Sequence, residues 1–271
     1  RKIVTTPATF QKRLDLVLFI ERVLAPEPAV QAVIGIGGIA NGLARPHSDI
    51  DAIVFLDPVD LYIAPAESYW RPSDGTFHSI FGVVDADAVM QLDLHRCDLA
   101  RWSDPSFEWP VARCAELQEG WLAFDRFGQV AELIASRTAY TDATRAAKLD
   151  EAITWLDQHL SGDGPEVRWH SLGPLIAHDR LHAAYGYLVQ GLFAYNRRWR
   201  PWRSREMDAL LALPWLPEGF ADRVWDASCA HTPQHADYVR RVDSLQGLFH
   251  DLAVRLVADG DYGQEYVSEA F

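Results

Sequence analysis

The stretch GIGGIANGLARPHSDID, residues 35–51, places four glycines close together ahead of two aspartates separated by one residue. The apolar run Ala32-Val33-Ile34-Gly35-Ile36 enters it and reads as a buried strand, and DIDAIVFL, residues 49–56, leaves it as a second strand. Gly37-Gly38 falls where the first strand gives way to a turn, with one or two helical turns expected over residues 40–44. Glycine at such a place lets the backbone approach a ligand and aim its N–H groups at an anion. No Gly-Lys-Ser/Thr follows, so this is not a Walker loop, and glycines 35, 37 and 38 do not have the G-x-G-x-x-G spacing. On a strand, Asp49 and Asp51 face the same side and Ile50 faces the other. Two neighbouring carboxylates repel unless a cation lies between them or one is protonated. Mg²⁺ is commonly held by one or two carboxylates together with substrate phosphates.

A third carboxylate strengthens this reading. Val89–His95 reads as a strand with Gln91, Asp93 and His95 on one face, and Asp93 sits between Leu92 and Leu94. A charged side chain in an apolar strand is costly unless it is paired or faces a site. If this strand lies beside DIDAIVFL, three carboxylates converge. Two metal ions clamped by three aspartates and a triphosphate are the apparatus of in-line phosphoryl or nucleotidyl transfer.

At these residues the chain resembles the nucleotidyltransferase superfamily that includes DNA polymerase beta and the antibiotic nucleotidyltransferases. The residues that carry the resemblance are Gly37, Gly38, Ala40, Gly42, Ser48, Asp49 and Asp51, with Asp93 where the third carboxylate is expected. Gly38 stands where Ser is most frequent and Asn41 where Arg is frequent, and the match covers about residues 30–95. The resemblance implies that Asp49 and Asp51 bind two Mg²⁺ ions. It implies that Asp93 binds the second metal or activates an acceptor hydroxyl, and that Gly37 and Gly38 receive the β- and γ-phosphates of a nucleoside triphosphate, ATP first among them. A nucleoside monophosphate would pass to a hydroxyl of a small molecule and pyrophosphate would leave. Ser48 and Arg45 are further nucleotide-binding candidates; a turn-making Ser and a solvated Arg are the plainer readings.

The chain has 271 residues, 49% hydrophobic and 23% charged, enough for a substantial core. It contains no apolar run long enough to span a membrane. A net charge of −13 argues against a nucleic-acid partner, which needs a basic footprint, and suits a cationic small molecule or metal-bridged phosphates, the plainer reading being that it only aids solubility; together with the resemblance it implies an aminoglycoside-like acceptor. Cys97, Cys114 and Cys229 are widely spaced and odd in number, as for reduced thiols, and no signal-peptide pattern shows. The expected compartment is the cytoplasm.

The expected fold is α+β: a nucleotidyltransferase-type mixed sheet with flanking helices over residues 1–138, then an all-helical domain over 139–271, with the site in the cleft between them. Thr6-Pro7 should open a helix over 8–24. Residues 57–76 read as irregular, and 77–84 and 88–95 as a hairpin turning at 85–87. Further helices are expected over 111–119, 129–137, 142–160, 172–198 and 218–230. Ser204 should cap another that Pro214 ends, and Thr232-Pro233 should start a last one reaching about 258. Three other features have plainer readings beside functional ones. The basic-aromatic run 195–203 could face nucleic acid or a triphosphate, or form a helix end. His178, Asp179, Arg180 and His182 could line a cleft or be a polar helix entry. Lys148 could touch a phosphate or be an exposed helical Lys. Other readings of the chain are a nucleotidyltransferase-like interaction protein, an antitoxin-type partner or a protein-modifying enzyme, and a degenerate nucleotide binder.

Overall fold

The computed structural model describes residues 5–64, 66–71, 77–79 and 90–261. The chain divides into two compact units, Arg1–Ala139 and Tyr140–Phe271. The first carries a mixed sheet with flanking helices and the second is helical, the α+β architecture that the sequence predicts.

The first unit begins with α1 (Pro7–Phe19). Thr6 caps it, its hydroxyl accepting from Thr9 N at 3.1 Å, and Pro7 occupies the first turn, where its missing N–H costs nothing. The last turn of the expected helix, Ile20–Leu24, widens into a π-helical turn. Next come β1 (Val30–Gly35), the single turn α2 (Gly38–Asn41), β2 (Ile50–Leu56), β3 (Glu67–Trp70), β4 (Phe77–Ser79) and β5 (Met90–Asp98). The unit ends with α3 (Leu99–Ser103), α4 (Val111–Glu119), β6 (Trp121–Asp125) and α5 (Gln129–Arg137).

The strand order is β4-β3-β5-β2-β1-β6, with β2 and β5 parallel and the other pairs antiparallel. One sheet face is apolar: Val33, Ala52, Val54, Leu92 and Leu94 share a core cluster with Leu16, Phe19 and Ile20. Phe19 meets Trp70 edge to face at 5.1 Å.

The strands at 77–79 and 90–98 do not form the expected hairpin. β4 pairs with β3, and β3 lies between β4 and β5; the proposed turn at 85–87 is outside the described residues. β3 arises within the stretch read as irregular, because four residues between prolines show too few alternations to register as a strand. Its reality rests on burial, for Ser68 and Trp70 are both almost fully enclosed. β6 was also not anticipated. It starts beside Gly120, where an added Cβ would lie 2.5 Å from Ile34 Cγ2, so only glycine lets the chain turn from α4 onto β1.

The second unit comprises α6 (Asp142–Leu160), α7 (Gly164–Leu172), α8 (Pro174–Tyr195), α9 (Arg203–Leu211), α10 (Phe220–Ser228) and α11 (His235–Ala258). Its core draws Leu149 and Leu156 from α6, Leu181, Leu188 and Leu192 from α8, and Leu245, Phe249 and Leu252 from α11. These recur at helical spacing, which is why the periodicity was legible. Four details depart from expectation. The long helix starts at Pro174, because Gly173 (φ 82°) breaks the chain after a separate helix, α7. Ser204 lies inside α9, whose N-cap position is Trp202 with no side-chain cap. Glu218 stays outside α10, which begins at Phe220. Thr232-Pro233 precede α11, because the Asp237 carboxylate accepts from His231 N (2.7 Å) and Thr232 N (3.1 Å) and holds that segment as a turn. Among the described residues no helix is long and apolar enough to cross a membrane.

Candidate metal and nucleotide site

The site grows from the register of β2 on β5. Asp51 pairs directly with Asp93, so both side chains leave the same face of adjacent parallel strands. Asp49 lies just before β2 and its carboxylate comes within hydrogen-bonding reach of Asp93. One carboxylate oxygen from each of Asp49, Asp51 and Asp93 lies within 4.8 Å of the others. All three are half-buried. On the other side of β5, Glu67 of β3 pairs with Asp93, so a fourth carboxylate continues the row across the sheet.

This crowding shows in the electrostatics. The Asp93 carboxyl is pushed up to about 6, by burial first and then by Asp49, Asp51 and Glu67. Asp93 Oδ1 is buried without a hydrogen-bond partner. A buried, unpartnered carboxylate oxygen among like charges is destabilising by itself, and a divalent cation would satisfy it. Oxygen donors alone suit a hard ion such as Mg²⁺ or Mn²⁺.

The glycine turn is tied to the same place. Ile36 N donates to Asp51 O at 3.0 Å, so the strand pairing continues up to Gly37. Gly37 has φ 61° and ψ −133°, a conformation that side chains strongly disfavour. Gly38 has a different reason. A Cβ there would lie 3.0 Å from Ala44 Cα, so the loop's own packing excludes a larger residue without a shift. Asn41, in place of the frequent Arg, makes a turn: its Oδ1 accepts from Leu43 N at 2.9 Å. Ser48 donates its hydroxyl to Arg45 O at 3.0 Å, the turn-making role, and Arg45 and His47 are exposed.

Helix α1 braces this loop through residues that no motif marks. Thr6 N donates to Gly42 O, and the Thr6 hydroxyl donates to Ala44 O. The buried Thr9 hydroxyl accepts from Ala44 N at 2.9 Å. Arg13 donates from Nε to Ile39 O (2.8 Å) and from Nη2 to Ala40 O (2.9 Å), closing the C-terminal end of α2. Lys12 donates to Ser48 O, beside the aspartates. Burial lowers its amine from the ordinary value, against the opposing pull of Asp15 and Asp49. Lys12 is thus a basic residue next to the acidic cluster. Lys148 lies on α6, paired with Glu151 at 3.6 Å.

Several of the remaining candidates have structural partners. In the run 195–203, Arg197 pairs with Asp142, Arg200 with Glu206, and the Tyr195 hydroxyl donates to Asp259 at 2.6 Å. His178 Nδ1 meets Arg241 Nη1 at 3.0 Å, while Asp179 and Arg180 are exposed. Burial pushes the Cys97 and Cys114 thiols up to about 11, so both stay protonated and unreactive.

No family model and no curated protein sequence matches the chain. Among solved structures it is similar to a nucleotidyltransferase-like protein from Exiguobacterium sibiricum 255-15. The TM-score is 0.45 and the identity 13%, over 94% of this chain and 77% of that one.

Proposed function

We propose that this chain is a divalent-metal-dependent nucleotidyltransferase that moves a nucleoside monophosphate from a nucleoside triphosphate to a hydroxyl of a small molecule. The observation that carries the reading is the convergence of Asp49, Asp51 and Asp93, with Asp93 Oδ1 buried and unpartnered. Asp49, Asp51 and Asp93 would hold Mg²⁺, two ions in the full assembly. Bound there, the metal supplies positive charge to the phosphates and to the charge that develops during in-line displacement.

The chain's own residues orient the reaction. Gly37 and Gly38 present backbone N–H groups with no side chain between them and a polyphosphate. Ser48 shapes the turn before the aspartates through its bond to Arg45 O, and exposed Arg45 is free to meet a phosphate. Lys12, held beside Asp49, balances part of the acidic charge. Asp93, directly opposite Asp51, would bind the second metal or activate the acceptor hydroxyl. The net charge of −13 favours a cationic acceptor such as an aminoglycoside-like antibiotic, with no nucleic-acid or membrane partner. ATP is the first donor to test, and the cytoplasm the compartment where it is supplied. In this reading residues 1–138 are the catalytic domain and 139–271 a helical domain.

The test is pyrophosphate release from each nucleoside triphosphate with Mg²⁺ across a panel of cationic hydroxyl compounds. The parent protein should release pyrophosphate with at least one pair. Asp49→Asn and Asp51→Asn should abolish release while circular dichroism stays unchanged. Full turnover in either variant would remove these carboxylates from the mechanism.

A further inference from the structure

The helical unit carries a second convergence of ligand-type side chains, built from different chemistry. Glu166 and His170 are four apart on α7, so they stand on one helix face, one turn from each other. His235 is the first residue of α11. His170 Nε2 lies 2.8 Å from Glu166 Oε1, and His235 Nε2 lies 2.9 Å from Glu166 Oε2. All three ligand atoms lie within 4.8 Å of one another. The carboxylate is thus gripped from both sides by imidazoles that reach it from separate helices.

We propose that Glu166, His170 and His235 form a zinc site that pins α7 to the start of α11. Two imidazole nitrogens and one carboxylate oxygen are a borderline-soft donor set that suits Zn²⁺ and not Mg²⁺. A tetrahedral zinc with bonds of about 2.0–2.2 Å separates its ligand atoms by about 3.3 Å. His170 Nε2 and His235 Nε2 contact different oxygens of Glu166, and with one oxygen as ligand the three ligand atoms lie within 4.8 Å of one another, so side-chain adjustments of about 1–2 Å bring them to that spacing. For each imidazole to ligate through Nε2, its proton must sit on Nδ1. The His170 side chain is 70% exposed and that of His235 41%, so water can accept that proton. The same exposure leaves the fourth position open to a water molecule.

The site has a physical purpose. α7 buries Pro165, packs Trp169 on the helical core and is already tied to α11 by the Tyr238 hydroxyl, which donates to Pro165 O at 2.9 Å, so a metal would reinforce an existing junction. The segment before α11 is a turn held by Asp237. A metal joining residues 166, 170 and 235 closes a long loop between α7 and α11, and binding to the folded state alone stabilises it. Trp169, with its ring 5.0 Å from that of His235, provides a built-in optical reporter.

The experiment uses full-length Asp51→Asn protein, so that any ion taken by the aspartate cluster does not confuse the count and failure of the nucleotidyltransferase reading leaves the result intact. Zn²⁺ is titrated by calorimetry and by Trp fluorescence, and Co²⁺ is followed by its visible absorption. One Zn²⁺ per chain, a higher melting temperature with Zn²⁺ and a four-coordinate Co²⁺ spectrum are expected. His170→Gln and His235→Gln keep a hydrogen-bond donor toward Glu166 but replace a good zinc ligand. Loss of an outer partner of a ligand already weakens metal binding by about 10–100-fold. Each of these variants should therefore weaken it at least as much and lose the Co²⁺ spectrum, while the metal-free melting temperature holds. Saturation without one bound Zn²⁺, or equal affinity in the Gln variants, would overturn the site and leave a hydrogen-bonded His-Glu-His cluster.

Discussion

At the scale of single residues, Asp93 is the most consequential side chain in the first unit. Its carboxyl is raised to about 6 by burial and by the three carboxylates around it. An acid whose folded value lies above its unfolded one binds its proton more tightly in the fold. Stability is therefore lost as pH rises from the unfolded value near 4 through about 6, and the cost is fully present above that. Asp93→Asn removes the charge. Without divalent ions the variant should melt higher than the parent at about pH 7.5, and the gap should close toward about pH 4.5. Adding Mn²⁺ should raise the parent's melting temperature and not the variant's. Differential scanning fluorimetry across pH checks this; a gap that is the same at both ends would remove Asp93 as its source. Gly38 is a smaller case of the same lesson. Ala44 Cα lies 3.0 Å from where a Cβ would stand, so Gly38→Ser overpacks the loop and should cost about 1–3 kcal/mol in urea denaturation. Unchanged stability would show that the loop yields and that Ala44 does not account for the glycine.

At the scale of elements, the strands and helices with long, clean periodicity were legible. Val111–Glu119, Gln129–Arg137 and Asp142–Leu160 match their expected bounds, because each repeats apolar residues at helical spacing between clear stops. β3, β6 and α3 were not, since each is too short to show more than two or three repeats, and α7, though as long as α4, buries only Pro165 and so carries no apolar stripe. The same shortness hid Glu67 from the acidic row, for it joins only through the β3–β5 pairing. Helix crossings are likewise tertiary. Gly191 of α8 packs where a Cβ would lie 3.0 Å from Leu252 Cδ2 and 3.5 Å from Ala152 Cβ, so three helices meet over one hydrogen atom. Gly191→Val should destabilise the protein by about 1–3 kcal/mol, read as a lower denaturation midpoint. A neutral outcome would mean that Leu252 repacks freely.

At the scale of the whole molecule, the chain is a mixed-sheet unit followed by a helical one, each with its own core cluster. The two candidate sites divide the same way: an oxygen-only set of aspartates on the sheet and a His-Glu-His set on the helices. Distinct donor chemistry should let the two be loaded separately, Mn²⁺ by the first and Zn²⁺ by the second. The sequence by itself determined the strand–glycine–strand order around residues 35–51, the pairing of Asp49 with Asp51 on one side, and the change from mixed to helical pattern near residue 140. These follow from local periodicity and from backbone rules that act over a few residues. Only the tertiary structure decided that Asp93 stands opposite Asp51, that Glu67 extends the row, that Thr9, Lys12 and Arg13 brace the loop, and that His235 reaches Glu166 across 69 positions. Those facts depend on register and packing between segments far apart in the chain, which no short-range repeat encodes.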